Sequence, residues 1–428
     1  MSPHVRTVKT ASGSRAVQIV YSNRGGSRTM EHLGSAHDEV ELELLKAVAR
    51  QRLVAGQGVL DIAGLPPERG GPLPIRSSRM GHLVDAISEA YRVLGLEKAT
   101  GADEVFKHLV IARIIEPSSK LDSARVLAEA GIEPASYRTL KRRLPVYATE
   151  GFRASLAAAC AARAALGPAA LVLYDVSTLY FETDEGDGFR ESGFSKERRL
   201  EPQITIGLLT DTTGFPLMVN AFEGNRAETT TMLPVLQAFQ RVHGITGVTV
   251  VADAGMISRA NQQTIEQAGM SFILGARIPE VPHIIDQWHR EHPDTPVPDG
   301  HLFTQPWPAS DSDGRRDQVI YYQYKHDRGR RTLKGIDEQV AKAEKAVAGK
   351  APVKRNRFIR LDGATKSVNR ELEAKTRALA GIKGYVTNLT DPTPDFVIGA
   401  YHRLYQIERS FRMSKHDLQA RPIFHHKR

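Results

Sequence analysis

The pattern of apolar and polar residues predicts alternating strands and helices in the middle of the chain. Residues 171–181 (LVLYDVSTLYF) form an apolar run rich in β-branched and aromatic residues, with one aspartate inside it. Two more strands are predicted over 203–211 and 215–225, joined by the turn Thr212-Thr213-Gly214. Next come, in chain order, helix 228–242, strand 248–256, helix 258–269 and strand 271–277. The pattern therefore predicts a mixed α/β sheet.

Three antiparallel strands followed by alternating helix and strand are the order of elements in a ribonuclease-H-like core, which we predict for residues 167–277. Residues 278–383 interrupt that pattern. They hold both tryptophans, a strand over 318–324, and Lys/Arg-rich sequence predicted to be helical over 335–383. We therefore predict an inserted subdomain that is β-rich and basic.

The region before the core is predicted to be mainly helical. Residues 1–79 are expected to form a hairpin within 1–30, a helix over 38–52 and a Gly- and Pro-rich linker. Residues 80–166 are predicted to form consecutive short helices, and one of them, YRTLKRRL, contains Arg138, Lys141, Arg142 and Arg143. Three short helices that end in a basic one are typical of a helix-turn-helix DNA reader. A helical subdomain with a solvated basic face explains the same pattern equally well.

The distribution of charge is more informative than its total. The 428 residues carry a net charge of +9, but residues 151–314 carry −9 and residues 315–383 carry +11. The basic block predicts a polyanionic partner, and the acidic block suggests metal ions. A single cysteine, Cys160, excludes an internal disulfide and a cysteine-rich zinc site. No apolar stretch has the length of a signal peptide or a membrane span, so we expect an intracellular protein without a membrane partner.

Two aspartates belong to predicted strands of the core. Asp175 lies inside the apolar strand 171–181, and Asp253 ends the strand VTVVAD. A carboxylate in a buried strand is costly unless it is paired or coordinates a cation. Two such strands in one sheet can bring their carboxylates together, where mutual repulsion favours a divalent metal. We therefore expect a metal site, although a lone strand-end aspartate would more often cap a loop.

The α/β pattern resumes in residues 384–428, with a strand over 384–390 and one helix over 394–415. Glu408 in that helix is the candidate for the third carboxylate, which is needed to hold two Mg²⁺ ions about 3.5–4 Å apart for phosphodiester cleavage. Cationic residues surround it in the sequence, namely Arg403, Arg409, Arg412 and Lys415. Such neighbours are suited to phosphate contacts.

Three segments, YDVSTLYFE, VVADAGM and YHRLYQIERSFRMSK, resemble the DDE transposases of bacterial insertion sequences, in the group with a β-rich insertion before the final glutamate. The signature of that group is Tyr, two residues, Arg, three residues, Glu, six residues, Lys. Tyr401, Glu408 and Lys415 occupy these positions, whereas Leu404 stands where the arginine is expected and Arg403 lies one place earlier.

The resemblance implies a ribonuclease-H-like catalytic domain in which Asp175, Asp253 and Glu408 bind two Mg²⁺ ions, with Mn²⁺ as a substitute. It implies recognition of terminal inverted repeats, nicking by water, and attack of the freed 3′-hydroxyl on target DNA. Tyr401, Arg412 and Lys415 become candidate phosphate contacts. A homodimer on double-stranded DNA and a cytoplasmic, nucleoid-associated location in a bacterium are also expected.

One aromatic residue and two rival functions complete the predictions. Trp307, between two prolines, could stack on a base displaced from the duplex, or it could pack inside the insertion. A catalytically inactive or truncated protein that only occupies the element ends is the first rival function. A structure-selective nuclease on the same fold is the second, and it would cut without end sequence and without strand transfer.

Overall fold

The computed structural model divides the chain into two compact units, Met1–Ser78 and Arg79–Arg428. The described residues are 3–10, 13–22, 28–54, 78–167, 170–194, 199–244, 247–256, 258–293, 295–309, 315–352, 355–362 and 365–424. Nearly all of the predicted linker over 55–79 lies outside them. Within these ranges no helix is long and apolar enough to cross a lipid bilayer. The finer domain boundaries taken from the sequence stay predictions.

The first unit is a three-stranded antiparallel sheet that packs against one helix. Its elements are β1 (His4–Lys9), β2 (Arg15–Ser22), β3 (Arg28–Ala36) and α1 (Glu39–Val54). Val17 and Ile19 of β2 pack against Leu42 and Ala49 of α1, because alternate strand residues share one face of a sheet. The predicted hairpin and helix are present. The third strand was missed because RTMEHLGSA lacks the apolar alternation of a strand.

Helices fill most of the stretch from 78 to 167. They are α2 (Gly81–Val93), α3 (Leu96–Ala99), α4 (Glu104–Ile115), α5 (Ser123–Ala130), α6 (Tyr137–Tyr147) and α7 (Glu150–Ala164). Asp103 caps α4, since its Oδ1 accepts hydrogen bonds from the backbone amides of Val105 and Phe106 at 3.0 and 3.1 Å. Ile111 of α4 packs against Val126 of α5. The helical prediction for this region is confirmed.

The remainder of the second unit is α/β. The elements of its first part are β4 (Leu171–Tyr180), β5 (Gln203–Thr210), β6 (Pro216–Glu223), α8 (Met232–His243), β7 (Thr249–Ala252), α9 (Arg259–Gln267), β8 (Ser271–Ala276) and α10 (His283–Glu291). Those of its second part are β9 (Leu302–Trp307), β10 (Gln318–Tyr324), α11 (His326–Val347), β11 (Ile359–Asp362), β12 (Thr365–Val368), α12 (Arg370–Ala378), β13 (Ile382–Thr387), α13 (Pro394–His402) and α14 (Leu404–His416).

Eight of the described strands form one sheet, in the order β6-β5-β4-β7-β8-β13-β10-β9. Neighbours β4, β5 and β6 are antiparallel, whereas β7 runs parallel to β4 and β8 parallel to β7. This arrangement confirms the predicted mixed α/β, ribonuclease-H-like core.

The predicted insertion is partly built into this sheet. Strand β10 pairs antiparallel with both β9 and β13, so the strands of residues 278–383 extend the core sheet. The rest of the insertion contains α10, α11, α12 and the hairpin β11–β12, and the hairpin lies within the stretch 335–383 that the sequence had predicted to be helical. Ile359 and Val368, both β-branched, pair across that hairpin and pack with Phe358 against α11.

A buried polar cluster joins the insertion to the core. Glu266 on α9 accepts hydrogen bonds at Oε2 from the Arg316 amide (2.9 Å) and at Oε1 from Asn388 Nδ2 (3.1 Å). The Arg316 guanidinium also donates to the Glu266 carbonyl (3.0 Å), and Asn388 Oδ1 accepts from the Phe272 amide (2.8 Å). A buried carboxylate is tolerated here because each of its two oxygens accepts a hydrogen bond.

Candidate active site

Strand alternation determines which way Asp175 faces. Along β4, Tyr174 and Val176 belong to the apolar cluster on one face of the sheet, and Leu173 belongs to the cluster on the opposite face. Residues two apart on a strand share a face, so Asp175 lies on the face of Leu173. That face is covered by α13 and α14, which contribute Val397 and Ile407 to the same cluster.

The neighbouring strand brings Asp253 to the same place. Strand β7 pairs parallel with β4, and Val251 lies opposite Leu173. Strand β7 ends at Ala252, and Asp253 follows directly, two residues beyond Val251, so continuing the register brings its carboxylate beside that of Asp175. The pairing predicted from the sequence is thus explained by the strand register.

Helix α14 is fixed over this face by the β5–β6 turn. Ser410 Oγ donates a hydrogen bond to the Gly214 carbonyl at 2.8 Å. Gly214 has a φ of +88°, and a Cβ at this position would lie 2.9 Å from the Gln406 carbonyl oxygen. The turn therefore needs glycine to approach the helix, and this approach determines where α14 presents Glu408.

The three carboxylates line one pocket of about 280 Å³. Its lining residues are Tyr174, Asp175, Asp253, Lys383, Tyr401, His402, Leu404, Tyr405 and Glu408. Asp175 is half-buried, whereas Asp253 and Glu408 are exposed at the mouth. The sequence predicted that these three acids belong together, and the fold brings them together from β4, from the end of β7 and from α14.

Tyr401, which the sequence predicted as a phosphate contact, is buried, and its hydroxyl donates a hydrogen bond to Asp253 Oδ1. The amide of Ala254 donates to the same oxygen at 2.8 Å. Burial and the bond to Asp253 both raise the pKa of Tyr401 well above its ordinary value, so the phenol stays protonated. Tyr401 therefore orients Asp253, and its contact with DNA stays a prediction.

The close approach of Tyr401 to Asp253 depends on Gly275 of β8. A Cβ on Gly275 would lie 2.8 Å from the Tyr401 hydroxyl oxygen and 3.1 Å from the Ala254 amide nitrogen. The first distance is shorter than a methyl group tolerates, and the second is tight and involves backbone that cannot rotate away. The absence of a side chain at Gly275 therefore makes room for the hydrogen bond to Asp253.

Lys383 supplies a cation that the sequence-based prediction missed. Its Nζ lies 4.3 Å from the centre of the Tyr401 ring and 5.9 Å from that of Tyr385. Burial lowers the pKa of Lys383, as does Arg328, while attraction to Asp253 and Glu408 opposes that shift. Strand alternation could have found it, because Lys383 precedes the buried Tyr385 by two residues on β13 and so shares its face.

The donor chemistry of the pocket fits a divalent metal. Carboxylate oxygens are the ligands that Mg²⁺ and Mn²⁺ prefer, and Asp175, Asp253 and Glu408 supply them from three separate elements. Across the described ranges, no three side chains of His, Cys, Asp or Glu converge closely enough to hold an ion as they stand. The acids thus line a pocket rather than a finished cage.

The cationic residues predicted to bind DNA lie on or beside α14. Arg409 and Arg412 are exposed on the helix, and Arg409 Nη1 donates to Gln406 Oε1 at 3.2 Å. Arg403 is exposed at the single turn that separates α13 from α14, where the sequence had predicted one continuous helix. Lys415 is half-buried near the end of α14. None of these four residues lines the carboxylate pocket.

Helix α6 presents three of its four predicted basic residues to solvent. Arg138, Lys141 and Arg142 are exposed and lie three and four residues apart, which places them on one face. Arg143 instead forms an ion pair with the buried carboxylate of Asp103. Burial alone would raise the pKa of Asp103, but hydrogen bonds from Arg143, from the backbone of α4 and from Tyr147 outweigh it and hold that pKa below its ordinary value.

Trp307 ends β9, the edge strand of the large sheet. Its side chain is 44% exposed, and the Arg315 guanidinium lies 4.4 Å from the centre of its ring. Arg315 also donates to the Trp307 carbonyl at 2.9 Å. The ring is therefore at the surface and covered on one face by a cation.

A further basic stripe lies on α11, within the positively charged block. Lys334, Lys342 and Lys345 are exposed, and at about 100° per residue they fall within about 80° of one another around the helix. The opposite side of α11 is apolar, with Ile336 and Val340 buried. The helix thus packs by one side and presents these three lysines, with Glu338 among them, on the other.

One family model shows the family to which this chain belongs. No curated protein matches the chain. Among solved structures, a piggyBac transposase in a synaptic complex with hairpin DNA aligns over 82% of this chain at 9% identity, with a TM-score of 0.36. The alignment spans 62% of that transposase. The family model described as the transposase DDE domain matches residues 167–428, which include all three pocket carboxylates, and the chain therefore belongs to the family of DDE-domain transposases.

Proposed function

We propose that the protein is a DNA transposase that nicks DNA at the ends of a mobile element and joins the freed 3′-hydroxyl to target DNA. One observation carries the proposal: three carboxylates from β4, from the end of β7 and from α14 line a single pocket in a chain of the DDE family. Because the three carboxylates are far apart in the sequence, chance is a poor explanation for their lining the same pocket.

Asp175, Asp253 and Glu408 would hold two Mg²⁺ ions, or Mn²⁺ in their place. When bound, such ions activate the attacking oxygen and stabilise the leaving oxygen of a phosphodiester. Tyr401 holds Asp253 in one orientation by donating a hydrogen bond to Oδ1. The remaining lone pairs of the carboxylate would then be available to a metal ion. Lys383 offsets part of the negative charge that the acids and an incoming phosphate bring together.

DNA would be held by the basic surfaces around this pocket. The core segment 151–314 carries −9 and repels phosphate, so binding energy must come from cationic faces elsewhere. The proposed contacts are Arg403, Arg409, Arg412 and Lys415 around α14, Arg138, Lys141, Arg142 and Arg143 on α6, Tyr401, and Trp307. Synapsis of two element ends implies a homodimer on double-stranded terminal repeats, and a nucleoid-associated location would follow from DNA binding.

The test is strand nicking. A labelled duplex carrying the inverted repeat that flanks the gene is incubated with the protein and Mg²⁺, and nicked product is measured beside DNA binding. We expect nicking by the unaltered chain, and loss of nicking without loss of binding for Asp253→Ala. Asp286→Asn serves as the matched control, because Asp286 is an exposed acid on α10 that pairs with Arg290 away from the pocket.

The same assay separates the rivals. Binding of the repeat without any nicking would overturn the enzymatic proposal and leave an inactive end-binding protein. Cleavage that ignores the repeat sequence and yields no strand-transfer product would instead identify a structure-selective nuclease.

A further inference from the structure

A second and larger pocket lies beside the end of α14. Its volume is about 600 Å³, and it lies between the α4–α5 loop and the C-terminal segment. Arg113, Lys120 and Arg421 bring positive charge to it. No Asp or Glu is among the described residues that line it. The pocket is therefore suited to an anionic ligand.

Backbone hydrogen bonds fix the wall formed by the C-terminal segment. Beyond α14 the amide of Leu418 donates to the Met413 carbonyl at 3.0 Å, and the chain turns back. It then docks on the end of β4, where the Ile423 amide donates to the Tyr180 carbonyl and the Glu182 amide donates to the Ile423 carbonyl, both at 3.0 Å. The wall is thus preformed before any ligand binds.

Like charges are crowded at this pocket. Burial lowers the pKa of Lys120, and the neighbouring Arg113 lowers it further. On the adjoining end of β4, the Arg421 guanidinium lies 5.7 Å from the centre of the Tyr180 ring. Arg113 and Lys120 are therefore neighbours in the pocket wall, and their positive charges reinforce each other there.

Charge alone does not account for the lining. Leu418, Pro422 and Ile423 contribute apolar surface, and the ring of Phe424 is 68% exposed at the pocket. A phosphate needs no such surface. A nucleobase does, because its flat faces stack on aromatic and apolar side chains. Cations next to an exposed ring therefore match a nucleotide better than a free anion.

Two elements connect the pocket to the carboxylate site. Ser414 in its lining follows Glu408 by six residues, a rise of about 9 Å along α14 and a rotation that leaves the two residues about 120° apart around the helix axis. The C-terminal segment docks beside the end of β4, the strand that carries Asp175. The pocket is thus linked through α14 and β4 to the elements that carry Glu408 and Asp175.

We propose that this pocket binds one unpaired deoxynucleotide of the DNA strand that passes Glu408, with its phosphate on Arg113, Lys120 and Arg421 and its base against Phe424. The inference rests on the proposed function. A paired base lies inside the duplex stack and could not reach an apolar wall, so the nucleotide must be unpaired. The site would hold the strand close to its cleaved phosphate.

The experiment measures binding of two probes to the full chain: a twelve-residue deoxythymidine oligonucleotide, and the same backbone with abasic residues. Lys120→Gln should weaken the binding of both probes. It should also reduce, by about 0.7, the magnitude of the slope of the logarithm of the binding constant against the logarithm of the salt concentration, which is the single-strand value for one lost phosphate contact. Phe424→Ala should weaken the thymidine probe roughly five- to hundredfold and leave the abasic probe unchanged.

The controls are matched in residue type. Lys98→Gln removes an exposed lysine of α3, and Phe396→Ala removes an exposed aromatic ring of α13, both outside the pocket. Photo-crosslinking of an oligonucleotide that contains 5-iododeoxyuridine uses the unaltered chain, so it does not depend on how the variants fold. The crosslink is expected within residues 418–424.

Equal effects of Phe424→Ala on both probes, or no effect on either, would overturn base binding and leave a phosphate contact only. A crosslink located elsewhere would overturn it as well. The outcome is independent of nicking: a chain that never cuts but shows the predicted probe selectivity refutes the proposed catalysis and supports the pocket. A chain that nicks normally without that selectivity does the reverse.

Discussion

Replacement of Gly275 by alanine tests the packing that orients Asp253. The new Cβ would lie 2.8 Å from the Tyr401 hydroxyl oxygen, whereas ordinary contact begins at 3.4 Å, so that oxygen must retreat by about 0.6 Å. The backbone amide of Ala254 stands 3.1 Å away on another side and limits how the strand can yield. Overpacking of this kind costs about 1–3 kcal/mol.

The assay is denaturant unfolding of Gly275→Ala beside Gly399→Ala. Gly399 is an exposed residue of α13, the helix that carries Tyr401, and a Cβ there meets nothing within 4 Å. Alanine in an exposed helix position is expected to stabilise the fold by about 0.4–1 kcal/mol. Gly275→Ala should instead lower the free energy of unfolding by about 1–3 kcal/mol, and Mg²⁺-dependent nicking should fall with it.

A double variant sharpens the test. Tyr401→Phe removes the oxygen that the new Cβ would meet, so Gly275→Ala should cost less free energy in that background than in the unaltered chain. Residues in contact typically show coupling of about 0.5–3 kcal/mol. Equal costs in both backgrounds, or a Gly275→Ala protein as stable as Gly399→Ala, would refute the packing argument.

Three further predictions concern the surroundings of the site. Glu266→Ala should destabilise the second unit in denaturant unfolding by about 1–3 kcal/mol for each buried donor that it leaves unsatisfied, namely the Asn388 side-chain amide and the Arg316 backbone amide. Glu266→Gln, which keeps one acceptor oxygen, should cost less. The folded pKa of Asp103 lies below 3.8, so its contribution to stability is present above that pH and is lost as the pH falls through the folded pKa. Asp103→Asn should therefore destabilise at pH 7, and the difference from the unaltered chain should shrink in unfolding experiments near pH 3. Changing Lys334, Lys342 and Lys345 to alanine should reduce the magnitude of the salt slope of duplex binding by up to about 0.9 per residue, and metal affinity should be retained. The control Arg290→Ala, in the acidic segment, should leave that slope unchanged.

The sequence was sufficient to predict the core because its strands are strongly apolar and its turns are marked. Asp175 and Asp253 could be paired from the order of elements alone, since β4 and β7 are adjacent parallel strands. The hairpin β11–β12 and strand β3 were missed because their segments are short or polar, and pairing rather than periodicity makes them strands.

Contacts between distant segments were beyond reach. Nothing in the sequence indicates that the Tyr401 hydroxyl reaches Asp253. This contact depends on the space that the missing side chain of Gly275 leaves on β8, a third element. Arg143 looked like its basic neighbours on α6, and only the tertiary fold shows that it pairs with Asp103. The pocket beside α14 is likewise formed by segments about 300 residues apart, as the 305-residue separation of Arg113 and Leu418 shows.

The central claim is that Asp175, Asp253 and Glu408 form one metal site, and Mn²⁺ binding measured by calorimetry or electron paramagnetic resonance tests it most directly. The unaltered chain should bind Mn²⁺, and Asp175→Asn, Asp253→Asn and Glu408→Gln should each weaken that binding, whereas Asp286→Asn should not. Unchanged Mn²⁺ affinity in any of the three pocket variants would contradict the claim.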